Sequence, residues 1–207
     1  MKREVLLYIE GGGDSASRLR LRKAFREFFR DLDGRAKRRG ILFRPRPFGG
    51  RQATFEAFKL ALEHHREAFV VLLVDSEGPV NTSSPWVHLK LHSGDNWDNP
   101  GADDRQCHLM VQAIEAWLIA DREKLREYYD RDFHEKALPK TAHVEEIPKE
   151  KLKQSLRNFS RSTKKGRYHE TKHAPEILAK IRPSEVQRKA RHCKRLFDTL
   201  ANEIDKM

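Results

Sequence analysis

The run Phe69-Val70-Val71-Leu72-Leu73-Val74 constrains the fold of this chain more than any other segment. A short continuous apolar run rich in strand formers fits a strand covered on both faces, as in a parallel sheet. It stops abruptly at Asp75-Ser76-Glu77-Gly78. Val5-Leu6-Leu7-Tyr8-Ile9 is a second run of the same kind, and it stops at Glu10-Gly11-Gly12-Gly13-Asp14. Between the two, Leu21, Ala24, Phe25, Phe28 and Leu32 share one face of a helix expected to run to about residue 39, with an interruption near Gly34. Ile41 to Phe48 alternates like a strand, and its prolines place it at an edge or a strand end. Thr54 to His64 reads as a second helix with Phe55, Phe58 and Leu62 inside. The order strand, helix, strand, helix, strand predicts an α/β fold with a mostly parallel sheet flanked by helices.

Residues 79–105 are rich in Pro, Asn, Ser, Gly and Asp, which predicts a long loop with one short strand at Val87 to Leu91. Cys107 to Val111 is expected as a fourth strand, and Gln112 to about Tyr129 as a helix with Ile114, Trp117 and Leu118 inside. Residues 131–147 read as irregular. The chain beyond is helical and basic, and Val186, Ala190, Cys193, Phe197, Leu200 and Ile204 form the apolar stripe of a final packed helix. The expected organisation is an α/β domain over 1–130 and a mainly helical basic extension over 131–207, packed on it.

In parallel sheets, ligands collect at the carboxyl ends of the strands. Glu10, Asp75 and Glu77 all stand at such ends. Asp75 and Glu77 are two apart, so on extended chain they point to one side, where two carboxylates repel unless a cation or a proton lies between them. Oxygen ligands of this kind suit Mg²⁺ or Mn²⁺. Solvated turn acids are the alternative. Glu115 lies in the otherwise apolar Ala113-Ile114-Glu115-Ala116-Trp117-Leu118 and needs a partner, either an ion pair or a metal.

Lys and Arg number 42 against 31 Asp and Glu, a formal net charge of +11, which attracts polyanions, nucleic acid above all. An acidic partner subunit is the other way to balance it. Lys165, Arg167, Tyr168, Lys172 and His173 lie in a basic cluster with one aromatic, which suits phosphate contacts and base stacking. The row Arg18, Arg22, Arg26 and Arg30 reads as a solvated outer face. His88 and His92 have a zinc-like spacing on a helix, but the strand-like pattern around them argues against zinc. Two cysteines without CxxC spacing exclude a disulfide framework. The glycine turn lacks the lysine and hydroxyl of a nucleotide-binding P-loop. With no apolar stretch long enough for a bilayer and too short a leader for export, a cytoplasmic protein without membrane contact is expected.

Tyr8-Ile9-Glu10-Gly11-Gly12-Gly13-Asp14 and Leu73-Val74-Asp75-Ser76-Glu77-Gly78 resemble the two marks of the Toprim domain shared by topoisomerases, primases and overcoming-lysogenisation-defect nucleases. Residues 110–121 and 165–174 resemble, more narrowly, an uncharacterised bacterial Toprim-related family found beside ATPase genes in defence clusters. The resemblance implies a Toprim-like sheet and a metal-dependent nuclease acting on DNA or RNA with an ATPase partner. It implies Glu10 as metal ligand or general base, Asp75 and Glu77 as holders of Mg²⁺ or Mn²⁺, and Glu115 as an accessory acid. Glu77 stands where the Toprim motif has a second aspartate, which leaves open a non-catalytic subunit that binds nucleic acid or the ATPase. Transfer to a small nucleotide is a third use of such a site.

Overall fold

The computed structural model describes residues 3–207. Strands β1 (Glu4–Glu10), β2 (Leu42–Gly49), β3 (Phe69–Asp75) and β4 (Cys107–Met110) form one parallel sheet in the order β2-β1-β3-β4. The two continuous apolar runs are its central strands. Val5, Leu7, Ile9, Val71 and Leu73 face one layer, and Leu6, Tyr8, Val70, Leu72 and Val74 face the other. Both sides are therefore dry, which explains why neither run alternates.

β2 is an edge strand, as its prolines predict. Leu42 donates its N–H to the Arg3 carbonyl at 3.0 Å, so even-numbered amides of β2 face β1. Pro45 and Pro47 fall on the odd positions that face the open edge, where their missing N–H groups cost no ladder bond.

The first layer holds α1 (Ser15–Phe28), α2 (Arg30–Arg38) and the C-terminal half: α5 (Glu115–Ala120), α6 (Arg122–Tyr129), α7 (Lys149–Ser160), α8 (Glu170–Leu178), α9 (Pro183–Lys189) and α10 (Arg191–Lys206). The second layer holds α3 (Arg51–His64), α4 (Pro85–Leu91) and Trp97. Among the described residues no helix is long and apolar enough to cross a membrane.

Four sequence expectations are corrected. Val87 to Leu91 is not a strand but part of α4, which starts on Pro85 after Ser84 and buries Trp86 and Leu89. Val87 and Leu91, which suggested alternation, are exposed. The first helix breaks at Phe29, not near Gly34. Phe29 leaves the helical region (φ −98°, ψ 19°), and the break lets the adjacent Phe28 and Phe29 both enter the core, where a straight helix would set them a quarter-turn apart. Phe28 stacks on Trp117 at 5.4 Å, and Phe197 of α10 meets both phenylalanines at 5.5 and 5.3 Å. The helix expected over 112–129 is split at Asp121, whose carboxylate caps α6 by accepting the Lys124 N–H at 3.3 Å. The final helix is likewise split, because Ala190 is extended and leaves Val186 on α9.

Candidate metal centre

The turn after β1 doubles back tightly. Gly11 and Gly12 have φ of 126° and 79°, a region that favours glycine. A Cβ on Gly12 would lie 2.8 Å from the Arg18 backbone, so the turn rests directly on α1. Gly11 and Gly49 exchange backbone hydrogen bonds of 2.8 and 3.0 Å, which pins the end of β1 to the end of β2. Asp14 then caps α1 by accepting the Ser17 N–H at 2.6 Å, a bond that holds its carboxyl below the usual range.

The turn after β3 is fixed from three sides. Ser76 is buried; its N–H donates to Met110 O at 3.0 Å, and its hydroxyl oxygen accepts the Gln112 N–H at 2.7 Å. The Ser76 carbonyl accepts from His88 Nε2 at 2.8 Å. Glu77 follows with φ of 62°, a left-handed position that turns the chain sharply after Asp75.

These two turns bring Glu10, Asp75 and Glu77 together, with one carboxylate oxygen from each lying within 4.8 Å of the others. Asp75 Oδ1 accepts the Ile114 N–H at 3.0 Å, and Glu10 Oε2 accepts the Asp75 N–H at 3.1 Å. Burial raises the Asp75 carboxyl well above the carboxylate range, and the charges of Glu10, Glu115 and Glu77 push it further. Burial also raises Glu10, against the lowering effect of Arg51. Three crowded carboxylates, two of them reluctant to ionise, form a donor set that fits a hard divalent cation.

Two basic side chains occupy the rim. Arg51 donates from Nη1 to Glu10 Oε2 at 2.9 Å and to the Asp75 carbonyl at 2.5 Å. Its Nε and Nη2 form a two-pronged bond to Asp95, each at 2.5 Å, and its guanidinium lies 5.1 Å from the Trp97 ring centre. Burial works against the Arg51 charge, but Asp95 and Glu10 outweigh it and hold the pKa above the ordinary value. Lys149, the first residue of α7, donates to Glu77. A cavity of about 280 Å³ opens beside Glu10 and Asp75, between the glycine turns and the start of α8.

A family model described as "Domain of unknown function (DUF4276)" matches residues 9–201. The chain belongs to the DUF4276 family. Neither curated proteins nor solved structures gave a match.

The DUF4276 match spans both acidic turns, Arg51 and Lys149. The fourth predicted acid stands apart from the cluster. Glu115 is 1% exposed, accepts from the Tyr168 hydroxyl at 3.1 Å and lies 3.9 Å from Lys153 Nζ. Burial raises its pKa, with Lys153 opposing. That makes it a buried hydrogen-bonded acid behind the centre.

The predicted basic cluster divides in two. Tyr168 and His173 are core residues of this DUF4276 chain: Tyr168 is held by Glu115, while His173 Nδ1 accepts the His169 N–H and meets the Tyr129 hydroxyl, both at 3.2 Å. Neither presents a face to a base, because both are buried, with His173 packed against Tyr168, Tyr128 and Tyr129. Lys165, Arg167 and Lys172 are exposed. His88 meets the Ser76 carbonyl, His92 Nδ1 lies 3.1 Å from Asp95, and the two rings stack loosely with centres 6.3 Å apart. Sequence reasoning missed Arg51, Asp95, Trp97 and Lys149. Arg51 follows Gly49-Gly50 at a strand's carboxyl end, a signal that was available. Asp95 and Trp97 fall in the 79–105 stretch expected as a long loop, the kind of segment that often carries function.

Proposed function

We propose that this chain is a Mg²⁺- or Mn²⁺-dependent nuclease of Toprim type, serving a bacterial defence or DNA-processing system with an ATPase partner. The observation that carries the reading is the meeting of Glu10, Asp75 and Glu77 at one rim of a parallel sheet, in a chain of net charge +11. A divalent ion bound there supplies a nucleophilic water and offsets charge building on the scissile phosphate. Glu10, Asp75 and Glu77 would hold it. Both protein bonds to Glu10 fall on Oε2, so Oε1 remains for the ion or for a proton from the attacking water. A raised pKa suits Glu10 to that second task. Arg51 fixes the carboxylate of Glu10, and Asp95 with Trp97 fixes Arg51.

The test is cleavage of plasmid and of single-stranded DNA and RNA with Mg²⁺ or Mn²⁺. Cutting should vanish on chelation and in Asp75→Ala. Metal-dependent cutting that survives Asp75→Ala in a clean preparation eliminates this site.

One observation favours a second reading. Lys149 on Glu77 and Arg51 on Glu10 already supply positive charge to the acids. A subunit that binds nucleic acid or the ATPase without catalysis would use the cluster in this form. Binding without cutting under every divalent ion, with co-purification of an ATPase, would support it.

A further inference from the structure

The row Arg18, Arg22, Arg26 and Arg30 is not one uniform outer face. Arg30 pairs with Glu27. Arg22 and Arg26 instead overhang the edge strand, where with Arg44, Pro45, Arg46 and Phe48 they line a groove of about 350 Å³. Arg18 stands where this groove meets the metal centre: a Cβ on Gly49 would lie 3.7 Å from its Nη1, and its backbone touches Gly12. Along α1 the three arginines are four residues apart, about 6 Å per step.

The charges that α1 brings to this groove are uncompensated. Among the described residues no carboxylate lies within 4.0 Å of Arg18, Arg22 or Arg26, and no acid lines the groove. Arg44 has one ion pair, with Glu4 at 3.0 Å, and Arg46 leans on Tyr8, 5.8 Å from its ring centre. Phe48, 43% exposed, lies with Arg46 on the Tyr8 side of the edge strand, 6.1 Å from that ring, so the groove wraps around the edge from the α1 arginines to an aromatic surface near Gly49. A larger groove of about 700 Å³ at the α9–α10 junction is also rich in cations, but Glu145 and Glu146 line it. There Arg188, His192 and Lys194 are already bonded to Glu185, Glu145 and Asp198 at 2.6–2.9 Å. The smaller groove is therefore the stronger attractor for an outside anion.

We propose that the α1–β2 groove binds a single-stranded nucleic-acid segment, with phosphates on Arg18, Arg22, Arg26 and Arg46 and an unpaired base stacked on Phe48, and delivers it to the acidic rim. The delivery rests on the nuclease reading of that rim; the binding does not. Unpaired arginines in a row supply the sequence-independent phosphate contacts, and an exposed aromatic suits an unstacked base rather than a duplex.

The experiment is fluorescence anisotropy with a labelled oligothymidylate, using the full chain in an Asp75→Ala background with chelator, so that no cutting occurs. The double variant Arg22→Ala/Arg26→Ala should bind about tenfold more weakly at low salt. Its slope of log affinity against log salt should be shallower by about 1.4, the share of two phosphate contacts on a single strand. Phe48→Ala should weaken binding about fivefold or more with the salt slope unchanged, since stacking is not an ionic contact. Arg188→Ala/Lys194→Ala serves as the control and should bind as the parent does. Parent-like affinity and slope in Arg22→Ala/Arg26→Ala overturn the proposal. So does tighter binding of a duplex, or equally tight binding of polyglutamate that the same variants abolish. Helical alanine at these exposed positions leaves the fold intact, which circular dichroism checks. Failure of the nuclease reading registers separately, as absent cleavage by the unsubstituted chain while the anisotropy pattern stands.

Discussion

Glu10 Oε2 accepts the backbone N–H of Asp75 at 3.1 Å. The first acid of the cluster is thus fastened to the main chain of the second, across the junction of neighbouring strands β1 and β3. Arg51 donates to the same oxygen, so Glu10 and Asp75 are held together by the protein alone. Such preorganisation concentrates negative charge in a place the apo fold tolerates poorly.

Asp75→Asn should therefore stabilise the metal-free protein. Burial, then the charges of Glu10, Glu115 and Glu77, raise the Asp75 pKa in the folded state above its unfolded value. Its contribution to stability is full below the ordinary carboxylate pKa and is lost as pH rises through the raised value. At neutral pH the neutral amide avoids that loss and can still accept from Ile114. An increase of about 2–4 °C in apo Tm is expected, with loss of the Mn²⁺-induced rise. Differential scanning fluorimetry with chelator and with Mn²⁺ decides; a lower apo Tm would refute the account.

Arg51 and Asp95 should behave as one unit. The Asp95 side chain is 2% exposed, and removing Arg51 leaves its charge with only His92 beside it, at 3.1 Å. Arg51→Ala should cost about 3–5 kcal/mol in urea unfolding. The double variant with Asp95→Ala should cost clearly less than the two single losses added. Simple additivity would show that the pair does not couple.

On the proposed metal reading, Lys149 would compete with the cation for Glu77. Lys149→Met should tighten Mn²⁺ binding about fivefold in calorimetric titration, the scale of an ion pair that is only partly buried. Weaker binding would mean that the ammonium helps to hold the site open.

Asp121 is a structural counterpart with the opposite sign. Its oxygens accept the Arg182 N–H at 2.9 Å, the Arg182 guanidinium at 2.7 and 2.8 Å, and the α6 cap at 3.3 Å. Burial alone would raise its pKa, but these bonds outweigh burial and lower it. Its stabilisation is present above the ordinary carboxylate pKa and disappears as pH falls through the lowered one. Asp121→Ala should cost about 1–2 kcal/mol at neutral pH, with a smaller difference in acid, read by urea melts across pH.

The central strands and their acidic ends were legible because a doubly covered strand is apolar at every position, so no period has to be judged. Short elements were not. A seven-residue helix such as Pro85–Leu91 offers two turns of pattern, and two exposed apolar residues were enough to imitate a strand. The break at Phe29 has no local signal, since it arises from Trp117 and Phe197 packing against adjacent rings. Tyr168 and His173 were misplaced because their lysine-rich neighbours suggested a surface, while the partners that bury them, Glu115 and Tyr129, lie about 40 to 50 residues away. Lys149 was invisible for the same reason, and Arg51 was marked only by its place after Gly49-Gly50: a residue's role in an acidic cluster is set by contacts that sequence spacing does not encode.

The prolines of β2 also limit how this molecule can be enlarged. A new strand laid along that side would find Pro45 and Pro47 offering no donors. On the other side, Arg195 binds the Cys107 carbonyl at 3.0 Å and lies against a buried, neutral His108. Sheet extension, the cheapest route by which two copies or a foreign chain could zip together, is thus obstructed along both margins, and a companion has to be recognised through side chains rather than through the backbone ladder.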